Sequence, residues 1–492
     1  MPVDRTLQHL LWERIDADPR LGEEAGPLIG AAADGPQPGP GLTLVVGRNG
    51  SGKSSFAETV EILLTGDNRR WSERSSIWRE GWRNLHHPFP TEVSAKLAVE
   101  GVKGGTSVRR WWPQGAELEQ SVTEVQPYEW PKTDLRSLGW EQALVAFRPF
   151  LSYNELGSML DEGPSKLYDA LSSVLGPDGL VTVEKLLADA RRSREKAYKD
   201  AQVALQRLLP GLERDLAEWL GPARQAQRGL ESVPALKAAE KWMKQTSADL
   251  RNQRFEPIAG EAQRIWELLR QQSNVELAPP ELEGTGTRRR VKLDVTVDGV
   301  GGAALGVMSQ GELHSLALSL FLPRAMLPES PFRFIVVDDP VQSMDPARVD
   351  GLARVLEEVG RKRQLVVFTH DDRLPEAVRR LGIDARILEV TRQPGSVVSV
   401  VEALDPVDRH ISDAWVIARD EGLPAEVAAR LVPGFCRGAV EAACTEVVRR
   451  RRLGRGENHT AVEQLLLGLT TKQRAALALY DDQSRAGNVY VQ

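Results

Sequence analysis

The sequence predicts an α/β fold: a mainly parallel sheet covered by helices on both faces, joined to a β-rich lobe, a short helical arm and a helical C-terminal domain. Three observations carry this expectation. The apolar run Leu42-Thr43-Leu44-Val45-Val46 leads into the glycine-rich turn Gly47-Arg48-Asn49-Gly50-Ser51-Gly52-Lys53-Ser54 and then into a helical pattern. Strand and helix signals alternate again from 334 to 369, which is the signature of a parallel sheet with crossover helices. Between about 180 and 275 the chain is charge-rich and helically spaced.

The elements follow in order. Leu7, Leu10, Leu11 and Ile15 have helical spacing, so residues 4–24 are expected to form a helix ending near Pro19 and Gly22. The turn-rich stretch 34–41 separates it from the strand at 42–46. After Ser54, Ser55-Phe56-Ala57 opens a helix that stops at Gly66. Alternating apolar positions at Val93, Ala95, Leu97 and Val99, then Val108 and Trp112, predict a hairpin or small antiparallel sheet over 91–126. The helical stretch beyond 180 is broken at Pro210-Gly211 and Gly221-Pro222. Each uninterrupted arm of about 30 residues spans roughly 45 Å. No heptad is sustained, which argues for a short arm rather than a long coiled coil. Residues 289–299 alternate as a strand, followed by a helix from about 309, a buried strand at 334–338, a helix at 346–359 and a strand at 365–369. From about 403 the pattern is helical. The expected boundaries are therefore 1–180, 181–284 for the arm, 285–402 and 403–492.

Composition narrows the function. The 492 residues carry 41% hydrophobic and 27% charged residues and a net charge of −6, an ordinary globular balance with no global attraction for nucleic acid. Two cysteines, Cys436 and Cys444, form no disulfide framework, and the first residues lack a leader pattern, so a cytoplasmic location and no membrane contact are expected.

The glycine-rich turn between strand and helix has the spacing G-x-x-x-x-G-K-S. Its backbone N–H groups can close around phosphate oxygens, Lys53 can reach the β- and γ-phosphates, and the Ser54 hydroxyl can ligate Mg²⁺. The run Phe334-Ile335-Val336-Val337-Asp338-Asp339-Pro340 delivers two carboxylates to a strand end, Asp338 as a Mg²⁺ partner and Asp339 to polarise a water. Beside the phosphate turn this pair gains weight, since strand-end acids alone are common. Met308-Ser309-Gln310-Gly311-Glu312-Leu313 opens a helix at Ser309, where a plain N-cap would also suffice. Leu365 to Thr369 ends in His370, a type of position that is often structural.

In this order the motifs resemble the ATP-binding-cassette ATPases, in particular the SMC/RecF/SbcC-like branch that acts on DNA. The resemblance covers about 40–180 and 285–400 and includes a D-loop-like Ser343-Met344-Asp345. It implies an ABC-type P-loop NTPase head. ATP would be held by Gly47, Asn49, Gly50, Ser51, Gly52, Lys53, Ser54 and Ser55, with Mg²⁺ on Ser54 and Asp338. Ser309, Gly311 and Glu312 of a second copy would complete an ATP sandwich in a homodimer, and Asp339 and His370 would be catalytic. ATP hydrolysis would serve DNA surveillance, repair or anti-phage defence. The implied partners are nucleic acid, DNA ahead of RNA, and an effector protein. Two departures stand out. Asp339 replaces the family's glutamate, and Tyr153 or Asn154 stands where the Q-loop glutamine belongs. The zinc-hook cysteines are absent, so no zinc is expected.

The form DDPVQSMD is also similar to the ATPases of bacterial anticodon nucleases of the PrrC/RloC kind. This directs attention to Arg437 and Glu441, four residues apart on a helix, and to His459, a set that could serve RNA cleavage if it converged. The simpler reading is a solvated Arg–Glu pair and a basic turn. A third reading is an assembly module without turnover. Basic clusters at 69–70, 109–110, 288–290 and 361–363 are candidates for phosphate contact, and Trp71, Trp78, Trp82, Trp111 and Trp112 for the core of the β-rich lobe.

Overall fold

The computed structural model describes residues 9–11, 40–68, 82, 91–152 apart from 101 and 103, 155, 167–168, 171, 178–208, 225–284 apart from 272, and 290–489 apart from 421. Arg69–Arg70, Trp71, Trp78, Tyr153, Asn154, Arg288–Arg289, most of 34–41 and the expected breaks near 210 and 221 lie outside the described residues.

Along the chain, β1 (His9–Leu11), β2 (Leu42–Val46), α1 (Lys53–Thr65), β3 (Thr91–Ala98), β4 (Thr106–Trp112), β5 (Val122–Pro127), α2 (Glu141–Phe147) and β6 (Phe150–Leu151) come first. Two long helices follow, α3 (Asp178–Leu208) and α4 (Val233–Leu269). Short strands β7 (Val275–Leu277), β8 (Glu281–Glu283), β9 (Arg290–Lys292), β10 (Asp294–Val297) and β11 (Val300–Ala303) lead to α5 (Gln310–Ala325). Then come β12 (Phe334–Asp338), α6 (Pro346–Gly360), β13 (Gln364–Thr369), α7 (Arg373–Leu381), β14 (Ala385–Arg392) and β15 (Val398–Glu402). The chain closes with α8 (Pro406–Arg419), α9 (Ala425–Gly454), α10 (His459–Leu466) and α11 (Thr471–Tyr480).

The chain divides into two compact units, one of 1–158, 264–275 and 307–492, the other of 159–263 and 276–306. In the first, a six-stranded sheet has the order β15-β14-β2-β13-β12-β6. Every pairing is parallel except β14 with β15. All six residues of β13 are buried, as expected of a central strand that reads as one apolar run. Each such Leu, Val or Phe stabilises the fold by roughly 1.5–3 kcal/mol. A second, antiparallel sheet has the order β1-β3-β4-β5. Helix α1 touches β12 and β13 of the parallel sheet and β3 and β4 of the antiparallel one. One core therefore runs from Val366 and Phe368 through Phe56 and Val60 to Val93, Val108 and Val125.

Residues 9–11 form an extended strand on Lys96 to Ala98, not the expected helix; the rest of 4–24 lies outside the described residues. Short apolar runs read equally as helix or strand, and the open edge of β3 decides by offering unpaired backbone groups. Of the hairpin or small antiparallel sheet expected at 91–126, the structure has the sheet, with three strands there. Trp82 and Trp112 are buried in its core with ring centroids 5.0 Å apart, while Trp111 is half-buried under the Arg109 guanidinium.

In the second unit, α3 and α4 are tied by Arg191 Nε to Glu240 Oε2 at 2.8 Å and Lys237 Nζ to Glu195 Oε1 at 3.1 Å. The descending partner numbers make them an antiparallel pair. The expected single strand at 289–299 is two: β9 pairs with β8 and β10 with β11, the chain changing partner at Leu293. No helix among the described residues is long and apolar enough to cross a membrane.

Candidate nucleotide site

The glycine-rich turn connects β2 to α1 at the carboxyl end of the parallel sheet. Gly50 and Gly52 have φ of 80° and 99°, backbone that glycine adopts freely. A Cβ on Gly47 would stand 2.4 Å from the Val390 carbonyl oxygen, so β14 leaves no room for a side chain there. Lys53 Nζ donates to the Arg48 carbonyl at 2.8 Å, within the loop itself. Burial lowers the Lys53 pKa, against the pull of the Asp338 and Asp339 carboxylates.

Pairing β12 and β13 in register beside β2 brings the acidic strand end to this turn. Ser54 Oγ donates to Asp338 Oδ1 at 3.3 Å. Burial pushes the Asp338 carboxyl up to about 7, with the Ser54 hydrogen bond opposing. A hydroxyl and a carboxylate oxygen side by side fit a hard cation such as Mg²⁺, and the glycine cradle fits phosphate.

Asp339 takes a φ of 49° and its N–H donates to the Phe368 carbonyl at 2.7 Å, which pins it against the end of β13. Its two carboxylate oxygens divide their work. Oδ1 accepts from Thr369 Oγ1 at 3.1 Å, and Oδ2 lies 2.8 Å from His370 Nδ1. Each oxygen retains a lone pair beyond these contacts. Thr369 was missed in the sequence, although it stands directly before the histidine that was singled out.

Ser309 caps α5 in a reciprocal box: Glu312 N donates to Ser309 Oγ, and Ser309 N donates to Glu312 Oε2 at 2.8 Å. The other Glu312 oxygen accepts from Ser273 Oγ at 2.6 Å and from Arg348 Nη2 at 3.0 Å. Burial works to raise the Glu312 pKa; the hydrogen bonds from Ser273 and Ser309 and the Arg348 charge outweigh it, so the carboxyl is held below its usual range. A Cβ on Gly311 would fall 2.3 Å from the Ser343 carbonyl oxygen, so this glycine lets the D-loop backbone pack onto the start of α5. Arg373, also unflagged by sequence, donates Nη1 to the Met344 carbonyl at 2.6 Å and Nε to Asp371 Oδ1 at 2.9 Å, bridging the D-loop to the residue after His370. Nothing in the sequence pointed to Ser273 or Arg373, because their roles depend on contacts across the fold.

Asn49 and Ser55 lie on the turn and the first turn of α1, where the sequence put them. The C-terminal trio is not assembled as one cluster. Glu441 and His459 line the same cavity, but Arg437 is exposed on α9 and is not part of that lining. Glu441 accepts from Thr471 Oγ1, and His459 Nε2 lies 3.2 Å from Asp350 Oδ2. Several candidate phosphate contacts are engaged within the chain. Arg109 pairs with Glu92, Arg110 is buried and donates Nε to the Leu63 carbonyl, Arg361 pairs with Glu357, and Arg363 donates to the Met326 carbonyl.

Residues 37–137 match a family model described as an AAA domain, and 167–374 a second described as an AAA domain, putative AbiEii toxin, Type IV TA system. The Smc head domain of Pyrococcus furiosus, solved with an extended coiled coil and bound to the C-terminal domain of ScpA, superposes with a TM-score of 0.51 at 14% identity, covering 78% of this chain and 94% of that one. The fold is that of an Smc head domain. A second Smc head, bound to the C-winged helix domain of ScpA, covers 75% of this chain and 91% of its own, at 14% identity and a TM-score of 0.47. The DNA double-strand break repair Rad50 ATPase of Methanopyrus kandleri is 38% identical over 78 residues, 15% of this chain. The chain thus matches only 9% of the length of that curated relative. Within this head fold, the glycine turn, Asp338, Asp339 and His370 stand at one edge of the parallel sheet.

Proposed function

We propose that this head binds and hydrolyses ATP, pairs with a second copy through ATP held between the two, and serves DNA surveillance, repair or anti-phage defence in the cytoplasm. The observation that carries the reading is the alignment of Asp339 with Thr369 and His370 beside the Ser54–Asp338 contact. Gly47, Asn49, Gly50, Ser51, Gly52, Lys53, Ser54 and Ser55 would hold the phosphates, and Ser54 with Asp338 would hold Mg²⁺, which when bound supplies charge neutralisation on the β- and γ-oxygens. Asp339, fixed by two neighbours, orients and accepts a proton from the attacking water, and His370 steadies the carboxylate. Ser309, Gly311 and Glu312 of the second copy would close over the γ-phosphate, with the capping box presenting the N-terminus of α5.

The relatives support the wider role: one is a DNA-repair ATPase, and the Smc head of Pyrococcus furiosus was solved on a protein partner. For this chain we infer nucleic acid, DNA before RNA, and an effector protein as partners. The test is light scattering of Asp339→Asn with ATP and Mg²⁺, together with turnover of the wild type. A dimer that forms only with ATP, and turnover that rises with added DNA, are expected. A protein that stays monomeric with saturating ATP would overturn the dimer, and turnover equal to that of Lys53→Ala would leave an assembly module.

A further inference from the structure

A cavity of ≈ 530 Å³ opens within the first unit, between α6 and α7 of the ATPase head and α8, α9, α10 and α11 of the C-terminal helices. That is the size of a site for a small organic molecule, which typically measures about 300–1,000 Å³. Its lining is distinct from the phosphate turn and the Asp339 cluster, although Arg373, which bridges the D-loop to Asp371, forms part of the wall.

The lining's charges do not cancel in place. Asp350 is paired with Arg380 and touches His459; Glu376 and Glu463 share Arg449; Glu446 is paired with Arg450. Asp405 is occupied as the cap of α8, accepting from Val407 N at 2.8 Å. Most of these acids are thus engaged, while Arg379, Arg474, the His410 ring and the Glu441 carboxylate are in no ion pair among the described residues, and the last three gather around the middle of α9.

Arg474 is the first. It makes two long contacts with neutral acceptors, Thr445 Oγ1 at 3.3 Å and the Leu466 carbonyl at 3.4 Å. Its Nε is buried and has no hydrogen-bond partner among the described residues. His410 is the second. Its ring lies against Gly438, where a Cβ would come within 2.9 Å of it, and its Nδ1 is likewise buried and unpartnered among the described residues. Glu441 stands one turn from Gly438 and Thr445 on the same helix and lines the same space. A guanidinium met only by long contacts to neutral acceptors keeps its charge unmatched, and an oxyanion accepts from a guanidinium and an imidazole together.

We propose that this cavity binds a small molecule carrying a phosphate or carboxylate, held by Arg474 and His410, with a hydroxyl or amino group of the same molecule donating to Glu441. The fold of the cavity explains the choice of residues: Gly438 makes room for the imidazole, and Thr445 aims the guanidinium without neutralising it.

The experiment uses the full chain and two probes, inorganic phosphate and citrate, each compared with sodium chloride at equal ionic strength. Thermal midpoints and calorimetric titrations are recorded for wild type, Lys53→Ala, Arg474→Gln and His410→Gln, with ATP binding measured in parallel. The expected result is a raised midpoint with at least one probe in wild type and in Lys53→Ala, and an affinity at least about tenfold weaker in both cavity variants with ATP binding intact. Response to phosphate alone or to citrate alone distinguishes the two oxyanions and supports the site in either case. Binding that disappears in Lys53→Ala but persists in Arg474→Gln would assign the anion to the nucleotide turn and overturn the proposal. So would a shift that sodium chloride reproduces, or none with either probe. If Arg474→Gln loses ATP binding as well, and so has not folded, His410→Gln decides.

Discussion

Ser54 Oγ meets Asp338 Oδ1 at 3.3 Å across 284 positions of sequence. The two residues meet only because β2, β13 and β12 lie side by side and in parallel, so that the ends of the first and third face the same edge. Asp338→Asn keeps the shape of this contact and removes its charge. Titrated with ATP at millimolar Mg²⁺, this variant is expected to bind at least about tenfold more weakly, and most of the Mg²⁺ dependence of binding should vanish. Unchanged Mg²⁺ dependence would remove Asp338 from the metal site.

His370 Nδ1 lies 2.8 Å from Asp339 Oδ2, so under the proposed function it acts through that carboxylate. His370→Ala is expected to lower kcat for ATP about ten- to a hundredfold and to leave KM nearly unchanged, since it frees the Asp339 carboxylate without touching the phosphate cradle. Thr369→Val, which removes the other tether of Asp339, should fall between the wild type and His370→Ala. Steady-state kinetics over a range of ATP concentrations checks both.

Gly311 is a packing requirement. Gly311→Ala places a methyl group 2.3 Å from the Ser343 carbonyl oxygen, a backbone atom that cannot swing aside. A loss of roughly 1–3 kcal/mol is expected, read from urea unfolding, because strain of this kind resembles overpacking. Gly306→Ala meets nothing within 4 Å and serves as the control.

Glu61 on α1 is tied to Arg148 Nη2 at 2.8 Å, and Arg148 in turn to Glu155. Burial pushes the Glu61 carboxyl from 4.5 up to about 7, against the pull of Arg148. A folded pKa raised above the unfolded one gives stability that is full below 4.5 and is lost as pH rises through about 7. The wild type should therefore lose stability relative to Glu61→Gln between pH 4.5 and 7, measured as the difference in urea midpoints. A constant difference across that range would place the Glu61 carboxyl near its ordinary value.

The strands at 42–46, 334–338 and 364–369 and the helices at 53–65, 310–325 and 346–360 were legible because each combines strong periodicity with a sharp boundary. Gly66 ends α1 in the left-handed region, Ser309 caps α5, and Pro346 opens α6. Residues 9–11 were not legible, since a three-residue strand takes its identity from the edge it joins. The division of 289–299 at Leu293 was hidden for a related reason: alternation shows that residues are extended and not which neighbour each will pair with.

By itself the sequence determined the glycine-rich turn, the acidic strand end and their order along the chain, because glycine spacing and apolar runs are local properties of the backbone. Only the tertiary structure decided that Asp339 is held between Thr369 and His370, that Glu312 joins Ser273 to Arg348, and that Glu441 and His459 line one cavity that Arg437 does not. Those relationships depend on which faces of helices and which strand ends meet. That is settled by burying apolar surface over long sequence separations, and no local pattern records it.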